Sequence, residues 1–429
     1  ADARSPAKFR LPGLEGLRDW LRGEVGGGKA PWLAKLDIQN AFWSIKLPRL
    51  WRRIFVLRSA DGRAYRYTRL PFGWRYSPLV CQTLVRSIVA GALRGTSARA
   101  WVYIDDILFC AGSKRELRSA VRRVTSRLRR AGFIISIKSE PKPVRAIGFI
   151  GKHIDSKQRT IQNAKGGVQS ALRAWVRAVG RGTVEPRRLR KLLGQLCWLS
   201  RPGAGLSCFM AGSYRALEAG SRVFTRGMAR GLGTVLVFSA VAHTYPPERP
   251  KNPTAEHSPR TDGIQFFTDA AEEGRGFRVG IVGATLHRSS RCPQWIRTLQ
   301  QAEFYGVYMA CKMAVYMGWK VVTVGTDSEV SRCQTMGMRA AAGCPVQQRI
   351  LRRIFWLRLW SNLQIGTFWV ESALNPADPM SRLKSLPSRK AAIQAAEERR
   401  RQWSGTPQRY KHLEYLPRSP WMLRAGEGR

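Results

Sequence analysis

The spacing of apolar and polar positions changes period several times along the chain, and each change marks a predicted element. The apolar run Trp32–Leu36 leads into Asp37 as a short buried strand. Arg53–Leu57 and Tyr65–Arg69 flank Asp61-Gly62, the signal of a hairpin. Ser77–Leu93 has helical spacing. Arg99–Tyr103 and Ile107–Cys110 read as two strands with Asp105-Asp106 at the turn between them. Arg115–Arg130 reads as a helix with a very basic face, and Gly132–Ile137 and Arg145–Ile150 as further strands. A helical pattern at Leu14–Leu21 and a turn at Gly26, Gly27 and Gly28 precede them. This order predicts an α+β domain with an antiparallel sheet.

Residues 165–240 are mostly helical in pattern and basic, and the polar, Pro-rich run Tyr245–Arg260 reads as a linker. Beyond it, strands are predicted at Ile264–Thr268, Arg278–Val282, Lys320–Gly325 and Gln364–Val370. Helices are predicted at Gln301–Met317 and Val346–Asn362. Alternating strands and helices imply an α/β unit with its own core. The tail from Lys384 is basic and expected to be flexible, with a helical patch at Ala391–Arg401. Trp403, Tyr410, Tyr415 and Trp421 are its candidates for packing. The expected division is 1–160, a helical 161–244, a linker 245–262, an α/β unit 263–383 and a tail 384–429. No internal repeat is visible.

Charge narrows the function. The 429 residues hold 74 Lys+Arg against 28 Asp+Glu, a net +46. Such a chain repels itself unless a polyanion is near, and nucleic acid is the expected partner. A membrane surface is disfavoured, because no basic amphipathic anchor stands out. No apolar run is long enough to span a bilayer and no signal peptide is seen. The eight cysteines are scattered without zinc spacing. Cys81, Cys110, Cys197 and Cys311 read as buried thiols, which fits a reducing, intracellular setting: cytoplasm, nucleus or virus-like particle. A start at Ala1 rather than Met suits a piece of a longer product.

Two groups of carboxylates carry the candidate chemistry. Asp37, Asp105 and Asp106 sit at strand ends among apolar neighbours, where like charges and desolvation are costly. Paired divalent cations, Mg²⁺ or Mn²⁺, would remove that cost and support nucleotidyl transfer. Asp269 and Asp327 follow predicted strands, Glu303 opens a predicted helix, and Asp378 follows a strand-loop. Four acids gathered at one sheet edge would hold two Mg²⁺ and activate water against a phosphodiester. An Asp-Asp turn or a single capping acid is common by itself.

The order of motifs adds a resemblance. Lys35-Leu36-Asp37-Ile38-Gln39-Asn40-Ala41-Phe42 resembles the first metal motif of reverse transcriptases. Arg69-Leu70-Pro71-Phe72-Gly73-Trp74-Arg75-Tyr76-Ser77-Pro78 with Gln82 resembles their template and nucleotide-positioning motif. Tyr103-Ile104-Asp105-Asp106 resembles the YxDD box, where RNA-dependent RNA polymerases usually carry GDD. Gly132–Ser139 and Ile147–Gly151 resemble the two motifs that follow. The resemblance covers residues 1 to about 155 and implies a palm with truncated fingers over 1–160. Phe9–Leu14 resembles the end of a fingers segment, and the resemblance implies that Arg4 is its remnant. The helices of 161–244, with Arg190–Leu199, would form a thumb or connection.

Carried over residue by residue, Asp37 and Asp105 would ligate the metals with Asp106 in support. Phe42 would exclude a ribose 2′-hydroxyl. Gly73 would admit the incoming base pair, Gln82 would lie near the template, and Lys138 would face the triphosphate as a general acid or a charge. The set Asp269, Glu303, Asp327 and Asp378 resembles the ribonuclease H site of retroelements, covering about 263–383. Trp369–Asp378 resembles the end of that domain in hepadnaviruses and in DIRS/VIPER-type tyrosine-recombinase retrotransposons. No His lies between His287 and His412, where many ribonucleases H place one. The resemblance implies RNA template, DNA primer, RNA–DNA hybrid and deoxynucleoside triphosphates as partners. A non-catalytic nucleic-acid-binding relic and a fragment active only as nuclease are the alternatives.

Overall fold

The computed structural model describes residues 11–13, 17, 21, 30–201, 206–240, 243–244, 263–341, 343–404 and 413–416. Arg4, Phe9, the glycine turn, the linker, Tyr410 and Trp421 lie outside them. The chain divides into two compact units, residues 1–164 with 242–249, and residues 165–241 with 250–429. The fold is mixed α and β, as the periodicity predicts.

In the first unit, β1 (Trp32–Gln39) is central. Helix α1 (Ser77–Leu93) precedes β2 (Arg99–Tyr103) and β3 (Asp106–Ala111). Helix α2 (Lys114–Arg130) leads to β4 (Ile134–Ile135) and β5 (Glu140–Val144). The sheet runs β2-β3-β1-β4, with β5 also paired to β1. Apolar side chains of α1 and α2 cover it through Val85, Val89, Leu117, Val124 and Leu128. Ser113 caps α2 by accepting from Glu116 N at 3.2 Å, and Arg127, Arg129 and Arg130 complement its C-terminal dipole. Strand β5 is not predicted from the sequence. Pro141 and Pro143 obscure it, and it lies where a proline-bearing strand is tolerated, at the margin of the sheet.

In the second unit, four helices come first: α3 (Lys165–Arg181), α4 (Pro186–Leu199), α5 (Ser207–Glu218) and α6 (Arg226–Ala240). Then follow β6 (Ile264–Glu273), β7 (Gly276–Gly283), β8 (His287–Arg291) and helix α7 (Leu299–Tyr316). Strand β9 (Val321–Thr326), helix α8 (Pro345–Ser361) and β10 (Gln364–Trp369) come next. Among the described residues the last elements are α9 (Asp378–Ser381), α10 (Arg389–Ser404) and β11 (Glu414–Tyr415). The sheet order is β8-β7-β6-β9-β10-β11. The β6–β9 and β9–β10 pairs are parallel, and the others antiparallel.

Three features differ from the sequence expectations. Helices α5, α6 and α8 share one core, with Phe209 edge-on to Phe355 at 5.2 Å, so 165–241 packs with the α/β unit. Strand β6 runs on to Glu273, which places Asp269 in mid-strand. Its last residue, Glu273, is buried because Arg278 and Arg291 bind it at 2.8 and 3.1 Å. The tail expected to be flexible contains α10, whose Ala392, Ala396 and Trp403 are buried against Phe267 and Phe368. Among the described residues, no helix is long and apolar enough to cross a membrane.

Candidate active sites

The first site is built by register. Strands β1 and β3 pair so that Asp37 faces Asp106, and Tyr103 pairs with Asp106 across the β2–β3 turn. That leaves Ile104 and Asp105 at the tip. Ile104 has φ of 56°, a conformation that costs a β-branched residue roughly 1–3 kcal/mol. Gln82 offsets it. Its side chain is buried, accepts from Ile104 N at 2.6 Å and donates to Val102 O at 2.9 Å. Each such bond contributes about 1 kcal/mol net. Gln82 thus holds the turn from behind, rather than standing free beside it.

Asp37 is fixed by a residue the sequence reading quotes without a role. Ser139 Oγ accepts from Asp37 N at 3.0 Å, while Ser136 N donates to Asp37 O at 2.8 Å. All three carboxylates are half-buried. Burial pushes Asp106 up to about 6, and the charges of Asp105 and Asp37 add to it, with Lys35 opposing. Asp105 is raised by burial and by Asp37. Three carboxylates so placed carry unneutralised charge, which fits residues that hold cations.

The neighbours fall on the same unit. Asn40 turns the chain at φ 49°, and Phe42 packs edge-on against Phe72 at 4.9 Å. Gly73 is exposed at φ 86°, which explains the glycine by backbone conformation, with nothing within 4 Å of an added Cβ. Lys138 is exposed, with its backbone N bonded to Ser136 Oγ at 3.2 Å.

The second site lies on the sheet of the second unit. Asp269 comes from β6, Glu303 from the second turn of α7, and Asp327 from just beyond β9. Among the described residues, these three alone form a set of metal-ligand side chains whose donor atoms lie within 4.8 Å of one another. Glu303 Oε1 accepts from Ala270 N at 3.2 Å. Glu303 Oε2 and Asp327 Oδ1 are buried without a hydrogen-bond partner among the described residues. Orphaned buried oxygens of this kind are the donor set a divalent cation takes.

Asp378 stands apart from that set. Its carboxylate accepts from Arg382 Nε at 2.7 Å and from Arg399 of α10 at 2.8 Å. The loop before it is pinned to β6. Asn375 Nδ2 donates to Thr268 O at 3.0 Å, and Ser381 Oγ donates to Asp269. Ser372 likewise donates to Asp327. These serines, Asn375 and Arg399 went unassigned in the sequence. Ser372 and Asn375 fall within the Trp369–Asp378 motif, whereas Ser381 lies just past it and nothing local signals Arg399.

Burial pushes Asp269 up to about 7 and Glu303 up to about 9, with the neighbouring carboxylates adding to both shifts. In the metal-free protein these groups keep their protons above their ordinary values of 3.8 and 4.5. Between the ordinary and shifted values the folded state binds more protons than the unfolded chain, so raising pH costs stability. Glu303→Gln removes its share of that cost. With EDTA present, the melting temperature of Glu303→Gln is expected to gain on the parent as pH rises from about 5 to about 9. Mg²⁺ should favour the parent at the upper end. A gap between the two proteins that is constant with pH would refute this.

Residues 5–149 match the family described as reverse transcriptase (RNA-dependent DNA polymerase). The Gag-Pol polyprotein of avian leukosis virus subgroup A is 31% identical over 204 residues, covering 44% of this chain and 11% of that one. Protein P of duck hepatitis B virus is 30% identical over 133 residues, covering 30% of this chain and 16% of that one. The chain thus spans about a tenth of the length of the retroviral relatives. A foamy viral protease-reverse transcriptase solved with an RNA/DNA hybrid is 15% identical, with a TM-score of 0.47. It covers 86% of this chain and 46% of that one, a likeness too distant to bear on function.

Proposed function

Because the chain carries a reverse transcriptase domain of the retroviral and hepadnaviral type, we propose that it copies RNA and DNA templates into DNA and cleaves the RNA of RNA–DNA hybrids. The observation that carries the first activity is the register that sets Asp37 against Asp106 with Asp105 at the adjoining tip. Divalent cations, Mg²⁺ or Mn²⁺, two at each site, would activate the attacking hydroxyl or water and neutralise the leaving group. Asp37, Asp105 and Asp106 would hold them in the first unit, and Asp269, Glu303 and Asp327 in the second, with Asp378 alongside. The Phe42 ring, braced on Phe72, would close the space beside a sugar 2′-carbon and so select deoxynucleoside triphosphates. Gly73 would present bare backbone to the incoming base pair, and Lys138 a mobile cation to its phosphates. Gln82 keeps the strained tip in place. The Trp369–Asp378 segment and the arginine-rich composition favour a retrotransposon of the DIRS/VIPER type as the source.

Primer extension on poly(rA)/oligo(dT) and cleavage of a labelled hybrid test both activities in one preparation. Both are expected with Mg²⁺ and neither with EDTA. Asp327→Asn should abolish cleavage and spare extension; loss of both together would point to misfolding and remove the assignment. Cleavage without extension is the second reading, favoured by the tighter carboxylate set of the second unit.

A further inference from the structure

In the second unit, sharing no lining residue with the Asp269–Glu303–Asp327 set, helices α5, α6 and α8 border an open cavity of about 760 Å³. Arg215, Arg230 and Arg352 line it, one from each helix, and among the described residues no acidic side chain does. Arg352 is oriented by donating to Cys208 O at 3.0 Å. One wall is the indole of Trp356, held edge-on by Phe209 with ring centres 6.0 Å apart. One helical turn further along α8, Trp360 stacks on Trp356 at 5.1 Å with the rings 26° apart, and Trp360 is 78% exposed.

Single exposed aromatics are ordinary. This one is different in its setting, because its inner face rests on a braced ring and its outer face is open. It offers a flat π surface that costs little entropy to keep in place. Beside it lies a depression that carries only positive charge. Nucleobases stack on such a platform whatever their identity, and arginines take the phosphates between them. The bases of a duplex are already stacked on each other, so the ligand must be unpaired. An apolar peptide would fill the platform but bring no negative charge to match the three arginines.

We propose that the α5–α6–α8 cavity and the Trp356–Trp360 stack bind unpaired nucleotides, holding a single-stranded tail of the nucleic acid. The reading stands apart from either catalytic assignment, because binding needs neither extension nor cleavage. Fluorescence anisotropy of the full chain with a duplex carrying a dT₁₀ tail, against the blunt duplex, tests it. Trp360→Ala should weaken the tailed substrate roughly tenfold, the loss typical of one stacked base, and leave blunt-duplex affinity unchanged. Arg230→Gln, on another helix, should weaken the same tail. With 5-iododeoxyuridine in the tail, irradiation should crosslink the peptide containing Trp356 and Trp360. Unchanged tail affinity in both variants, an equal loss on blunt duplex, or crosslinks confined to other peptides would overturn the proposal.

Discussion

Asp105→Asn is expected to slow primer extension by about 10³-fold, a barrier increase of ~4 kcal/mol, while hybrid cleavage by the same protein stays unchanged. The substitution keeps the shape of the side chain and removes one negative charge from the tip of the β2–β3 turn. Only Lys35 opposes the mutual repulsion that helps raise Asp106. With Asn at 105 that repulsion weakens, so the melting temperature of the metal-free variant should hold or rise. Activity lost while stability is kept is the mark of a residue retained for chemistry at some cost to the fold. Extension that survives Asp105→Asn would remove this residue from the site. A fall in melting temperature would instead mean that Asp105 braces the turn.

The second large effect is expected from a glycine. Gly280 lies on β7 directly beneath α9. An added Cβ there would stand 2.3 Å from Ala377 O, 2.6 Å from Ser381 N and 2.9 Å from Met380 C. All three are backbone atoms, so no side chain can rotate away and α9 itself must move. Gly280→Ala is therefore expected to cost roughly 1–3 kcal/mol, the usual range for overpacking. It should also displace Ser381 from Asp269 and shift Asp378, so hybrid cleavage should fall at least tenfold while extension is spared. Gly276→Ala, on the same strand with nothing within 4 Å of the added atom, is the control. Equal stability and cleavage in the two variants would mean that α9 is not seated as described.

These two residues show where sequence reading succeeds and where it stops. Asp105 is legible because a pair of acids between apolar strands is a local anomaly. Gly280 is not, because its need for bare backbone comes from a helix about a hundred positions later. Glu273 reads as loop, since burying a carboxylate makes sense only once Arg278, Arg291 and Lys384 are known to meet it. Helix α10 reads as a helical patch in a flexible basic tail with Trp403 a candidate for packing, and its burial is not legible because its buried side is a narrow stripe of Ala392, Ala396 and Trp403 among charges. Asp378 is legible as part of a motif and Arg382 is its local partner four residues on, but its second partner, Arg399, depends on how α9 and α10 come together. Strand and helix positions and the site acids are local or nearly so, while the strand registers and the groups that steady those acids come mostly from distant segments.

The way the two cores are threaded also orders events during synthesis. The buried apolar cluster that packs α1 and α2 on the sheet of the first unit lies between Ala34 and Phe133. Phe267, on the first strand of the second unit's sheet, instead waits for Trp403, which packs on it at 4.8 Å. As the chain leaves the ribosome, that cluster can close before any of the second unit is translated. The second cannot seal until α10 has emerged, so any nascent chain halted before Trp403 exposes apolar surface and becomes a target for chaperones or proteases.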